Sequence, residues 1–135
     1  GRKFRLSTEA EWEYAARGGK KSRSYQYSGS SNISDVAWYD GNSGSKTHPV
    51  GTKQANELGI YDMTGNVWEW CQDWEDSYSS SSQTNPTGAD SGSDRVGRGG
   101  SWSDRAEVCR SSFRYCDAPD DRNNDIGLRL ALSVH

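Results

Sequence analysis

The chain has 135 residues, the size of one domain, with 16 Lys plus Arg against 19 Asp plus Glu and a net charge of −3. That balance argues against a general nucleic-acid binder, and no apolar run approaches the roughly 20 residues that a membrane-spanning helix needs. A mean hydropathy of −1.02 leans toward disorder, but six Trp, seven Tyr and two Phe point to a core of rings rather than aliphatic layers.

Charge is unevenly spread. Residues 1–25 hold seven Lys or Arg, and residues 54–94 hold eight Asp or Glu with no Lys or Arg. The acidic block reads either as a solvated surface or as a source of oxygen ligands for a hard cation. No signal-peptide pattern precedes Gly1-Arg2-Lys3, so the expectation is a domain either cut from a longer protein or minimal. Cys71, Cys109 and Cys116 lack metal-knuckle spacing. One disulfide with a spare thiol, or three free thiols, both fit.

Ser7 to Gly19 predicts a helix. Thr8 and Glu11 have capping-box spacing, acids fill the first turn, Trp12, Ala15 and Ala16 share a face, and Gly18 is a natural stop. Residues 20–48 read as a long polar loop pinned by Tyr25, Tyr27, Trp38 and Tyr39. A turn at Thr64-Gly65-Asn66 leads into a short strand, with Val67, Glu69 and Cys71 on one face and Trp68 and Trp70 on the other. Residues 77–94 are Ser-rich and read as a mobile loop. Order resumes from Arg95 to Trp102, and Ile126 to Leu132 reads as one closing strand. There is no internal repeat, and residues 1–135 read as a single domain.

Three segments carry a family resemblance. Arg5-Leu6-Ser7-Thr8-Glu9-Ala10-Glu11-Trp12-Glu13-Tyr14-Ala15-Ala16-Arg17-Gly18-Gly19 is the first, with Ser7 where a Pro is usual. Asn56 to Met63 followed by Gly65-Asn66-Val67-Trp68-Glu69-Trp70 is the second. Arg98-Gly99-Gly100-Ser101-Trp102, Cys109-Arg110 and Gly127-Leu128-Arg129-Leu130-Ala131 form the third. In this order they resemble the formylglycine-generating enzymes and sulfatase-modifying factors. The resemblance implies an α+β, C-type-lectin-like fold with small twisted antiparallel sheets, one or two helices and much irregular loop.

It also implies sites. Asp62, Gly65, Val67 and Glu69 match positions where the family ligates structural Ca²⁺, two through carboxylates and two through backbone carbonyls. The alternative is that Asp62 caps the turn and Glu69 meets an internal Arg. A second family cation site would draw on Asn32, Ile33 and Asn42. The enzymes activate oxygen on copper held by two cysteines near the Gly-Gly-Ser-Trp segment. Here the first position holds Asp104, and the second falls on Cys109 by one count but not when counted back from Pro119 and Gly127. One thiolate does not make the two-thiolate Cu(I) site, so no copper and no catalysis of that type are expected. Cys109 reads as structural, and Cys71 as its disulfide partner or a packing residue. Ser101 has no evident His/Asp pairing, and His48 reads as a loop residue before Pro49.

Within 103–125 a second pattern stands out. Ser103, Asp104, Arg105, Val108, Phe113, Tyr115, Cys116, Asp117, Asp121, Asn123, Asn124 and Asp125 are interleaved with invariant-looking punctuation. Each of these residue types is reached from an AAC codon by changing its adenines, with Glu107 as the misfit. This resembles the variable region of diversity-generating retroelement target proteins, several of which use this fold. The implied role is a monomeric display domain on a bacterial surface or phage particle, binding a protein or other surface ligand. The competing reading is an ordinary solvated loop. Exposed Val, Phe, Tyr and Cys are unusual there, whereas Tyr and Arg beside small polar residues form adaptable paratopes.

Overall fold

A computed structural model of the chain describes residues 2–75, 88, 91–120 and 123–134. Two sheets and one main helix are joined by irregular loops, the architecture expected of the α+β, lectin-like class. β1 (Arg2–Leu6) pairs antiparallel with β6 (Leu130–Val134) and closes a two-stranded ribbon. The second sheet runs in the order β4–β3–β2–β5, built from β2 (Trp68–Trp74), β3 (Arg95–Arg98), β4 (Arg114–Asp117) and β5 (Ile126–Gly127).

The helix α1 (Glu9–Ala16) forms as its sequence dictates. Thr8 accepts from the Glu11 N–H at 3.1 Å, and Glu11 accepts from the Thr8 N–H at 2.9 Å. Gly18 ends the helix with a left-handed φ of 95°, a conformation that costs a glycine little. The expected long loop at 20–48 contains a short helix, α2 (Ile33–Val36), capped by the Asn32 side chain.

Two corrections concern the sheets. The second sheet is not wholly antiparallel, because β5 runs parallel to β2. The single closing strand is split into β5 and β6, which serve different sheets. The reason lies at the break. Arg129 turns inward to Glu69 at 2.8 Å and to the Tyr61 carbonyl at 2.7 Å, which takes the chain out of extended pairing. Of the Ser-rich stretch 77–94 expected to be a mobile loop, residues 77–87 and 89–90 lie outside the described residues.

Alternation in β2 gives the second sheet two faces. Cys71 and Val96 look toward α1 and join Trp12, Ala16 and Met63 in one buried cluster. A second cluster, Tyr27, Ile33, Val36, Ala37 and Cys109, lies under the loops. At the centre sits Arg98, its side chain fully buried. It reaches Glu9 at 3.0 Å, Glu13, and the carbonyls of Ser111 and Phe113, and it lies 5.1 Å from the Trp12 ring. This ionic hub joins helix, sheet and the segment after residue 110, pairing buried polar groups of all three.

The disulfide between Cys71 and Cys109 is not made. All three cysteines are free, and these two sit in different clusters. Each fills a small apolar place instead, Cys109 so closely against Gly100 that a Cβ there would collide with its Sγ.

Candidate functional site

The variable-looking segment frames the sheet. It supplies β4 at one edge and leads into β5 at the other. Register then sorts its residues. Arg114 stands opposite Arg98 and Cys116 opposite Val96, on the side facing α1. Tyr115 stands opposite Gly97 and Asp117 opposite Arg95, on the outer side.

The inner and outer members behave differently. Arg114 ion-pairs with Glu9 at 2.7 Å as part of the scaffold. Tyr115 stacks on buried Trp68 with ring centroids 5.0 Å apart, and Phe113 tilts against the same ring at 6.3 Å. Gly97 makes room for this arrangement, since a Cβ there would stand 3.3 Å from Tyr115 Cδ1. Asp117 accepts from the Tyr115 hydroxyl at 2.7 Å. Asp125 joins the same ring system through its backbone, its carbonyl accepting the Trp68 N–H at 2.7 Å. The Trp102 indole donates to the Asn124 carbonyl at 3.0 Å.

Ser103, Arg105, Asn123 and Asn124 are exposed, Val108 is half-buried in the turn Ala106–Cys109, and Asp104 is half-buried. Burial raises the Asp125 carboxyl above the usual carboxylate range, and the nearby charges of Asp104 and Asp117 raise it further. One residue departs from the expected single face. Cys116 is exposed but on the α1 side, and Asp121 lies outside the described residues. Trp68 and Trp102 were absent from the expected face, although the alternation of Trp68 and Trp70 against Glu69 and Cys71 was a signal for the first.

The expected copper position holds different chemistry. Asp104 accepts from the buried Ser101 hydroxyl at 2.6 Å, so Ser101 does have an acidic partner, though without a histidine. Burial pushes the Cys109 thiol up to about 12, with the Asp104 charge adding to it. That thiol is protonated at neutral pH, and Cys71, also raised by burial, belongs to the other cluster. No pair of thiolates converges here.

Of the four residues matched to Ca²⁺, one carboxylate is already engaged and the other is partly so. Glu69 is buried, and both its oxygens are engaged, one by the Trp12 indole at 2.8 Å and both by Arg129. Asp62 Oδ2 accepts from the Gly51 N–H at 2.7 Å, while its buried Oδ1 has no partner. Of the side-chain oxygens, that leaves one orphaned carboxylate oxygen beside an occupied carboxylate and a guanidinium. Gly65 is held by backbone, its N–H donating to Gly99 at 2.8 Å, and Val67 packs against Gly127. Among the described residues no group of three or more His, Cys, Asp or Glu gathers as a metal cage. Asn32 and Asn42, of the second cation site, hold backbone instead: Asn32 caps α2, and Asn42 accepts from the Tyr39 N–H and donates to the Ala37 carbonyl. His48 stacks on Trp38 with centroids 3.7 Å apart.

No helix among the described residues is long and apolar enough to cross a membrane. Comparison with known proteins places these features. The fold matches Treponema denticola variable protein 1 with a TM-score of 0.87 and 45% identity, over 94% of this chain and 46% of that one. In sequence the chain is 39% identical over 147 residues to the chaperone protein LppX of Paenibacillus barcinonensis, covering 96% of this chain and 49% of that protein. It is 36% identical over 143 residues to the formylglycine-generating enzyme of Mus musculus, covering 94% of this chain and 38% of the enzyme. The chain thus spans less than half the length of each of these three relatives. Residues 1–134 match the model of the sulfatase-modifying factor enzyme 1-like domain, and the chain belongs to that family, the one that includes the formylglycine-generating enzymes.

Proposed function

We propose that this domain is a non-catalytic binding and display module whose variable face is the outer side of the β4–β3–β2–β5 sheet. The observation that carries this is the alternation in β4. Tyr115 and Asp117 point outward, while Arg114, which precedes them, is drawn into the scaffold by Glu9. A strand built this way lets one face change without disturbing the other. Likeness to a variable protein supports the same reading. The ligand is a protein or other surface molecule, and the setting is a bacterial surface or phage particle. The domain acts as a monomer.

The test is the gene's surroundings. A reverse transcriptase and a near-copy of the sequence for 103–125, with adenines at the odd positions, are expected nearby. Their absence removes the diversification part of the proposal.

Family membership favours a second reading, a formylglycine-generating copper oxidase or an accessory factor to one. Incubation with Cu(I), oxygen and a cysteine-containing sulfatase peptide separates the two. No turnover is expected, because Asp104 and protonated Cys109 replace the thiolate pair. Formylglycine formation would establish the enzyme reading.

A further inference from the structure

We infer that the outer sheet face takes a basic protein partner, seating an arginine or lysine side chain on the aromatic floor of Tyr115, Trp68 and Trp102 beside Asp104 and Asp125. This rests on the binding reading above and names the chemistry of its ligand.

Neighbouring residues tie the three rings to one short segment. Tyr115, 36% exposed, covers Trp68. Asp125 is tied by its backbone to the Trp68 N–H, and its neighbour Asn124 to the Trp102 indole. A cation over such rings is attracted by their electron-rich faces, more strongly when water is excluded. The surrounding charge has the complementary sign. Asp104 and Asp117 are the charged neighbours that help hold Asp125 above its ordinary range, so one more positive charge there relieves a repulsion already present.

The cations of the adjoining strands are engaged elsewhere. Arg114 pairs with Glu9 on the opposite face, Arg129 pairs with Glu69, and Arg95 lies 3.8 Å over the Trp74 ring. Arg105, exposed and next to Asp104 in the chain, is the described cation nearest in sequence to that carboxylate. An acidic partner would meet carboxylates at the rim, and a purely apolar one would desolvate them without compensation.

The experiment is a selection from a yeast-displayed random peptide library against the wild-type domain at physiological salt. Selected peptides are expected to be enriched in Arg and Lys over the starting library. Their binding should fall about two- to thirtyfold with Tyr115→Ala, the range a cation–aromatic contact covers. It should also weaken with Asp104→Asn/Asp125→Asn and strengthen with Arg105→Ser. Thermal melts of each variant confirm that it is folded. Neutral or acidic peptides that are lost with Tyr115→Ala overturn the basic partner and leave the binding face standing. Basic peptides indifferent to Tyr115→Ala and Asp104→Asn/Asp125→Asn, or no selected peptide at all, overturn both.

Discussion

Replacing Arg98 by Met tests whether the ionic hub or the apolar packing carries the scaffold. Met keeps an apolar stem beside Trp12 but removes every donor. Glu9 then keeps Arg114, Glu13 keeps Arg17, and the carbonyls of Ser111 and Phe113 lose the guanidinium. Removing one member of a buried ion pair costs about 3–5 kcal/mol because it strands the other charge. Each orphaned buried carbonyl adds up to about 1–3 kcal/mol, though not additively. The Arg98 side chain is fully buried, but Glu9 keeps Arg114 and Glu13, 29% exposed, keeps Arg17, so neither carboxylate is left wholly unpaired and the middle of the ion-pair range applies. The expectation is a loss of about 4 kcal/mol. At roughly 3–5 °C per kcal/mol for a domain of this size, melting falls by about 12–20 °C. Urea unfolding followed by tryptophan fluorescence measures it, with an unchanged m-value as the check on two-state behaviour. A double-mutant cycle with Glu13→Gln should show coupling of about 1–3 kcal/mol. Burial raises the Glu13 carboxyl, but Arg98 and Arg17 together lower it further, so in Arg98→Met it should titrate higher than in the wild type. A loss under about 1 kcal/mol, together with additive single costs, would refute the hub as a source of stability.

Three further outcomes are expected. The Arg5 guanidinium, with the Thr8 N–H, holds the Glu11 carboxyl at about 2 against an ordinary 4.5. The folded pKa is depressed, so this stabilisation is complete above pH 4.5 and is lost as pH falls toward 2; Glu11→Gln should flatten stability-versus-pH in that window. Gly100→Ala combines a φ of 75° with a collision against Cys109, so it should lower the melting temperature sharply, and Cys109→Ala in the same chain should restore only part, because the strained backbone remains. Millimolar Ca²⁺ should give no saturable heat and no rise in melting temperature, since Arg129 occupies Glu69; either signal would return Asp62, Gly65, Val67 and Glu69 to the role of a cation site.

Local chemistry was readable along the chain. Thr8, Glu11 and Gly18 specify α1 through bonds spanning a few residues, and the structure keeps those caps. The Trp68–Cys71 alternation specified a two-faced strand for the same reason, since period-2 side-chain direction is a property of the backbone alone. The family motifs located the fold.

Tertiary structure decided the partners. Glu69 belongs to an ion pair because Arg129 arrives from 60 positions away, and no local pattern distinguishes that carboxylate from a cation ligand. The closing strand breaks in two for the same contact. Cys71 and Cys109 remain thiols because folding sends them to separate clusters. Within one four-residue strand, Arg114 and Tyr115 look equally solvent-compatible in sequence. Only pairing against Arg98 and Gly97 assigns one to the α1 side and the other to the outer side of the sheet, because the face a strand residue occupies depends on the register of its neighbours.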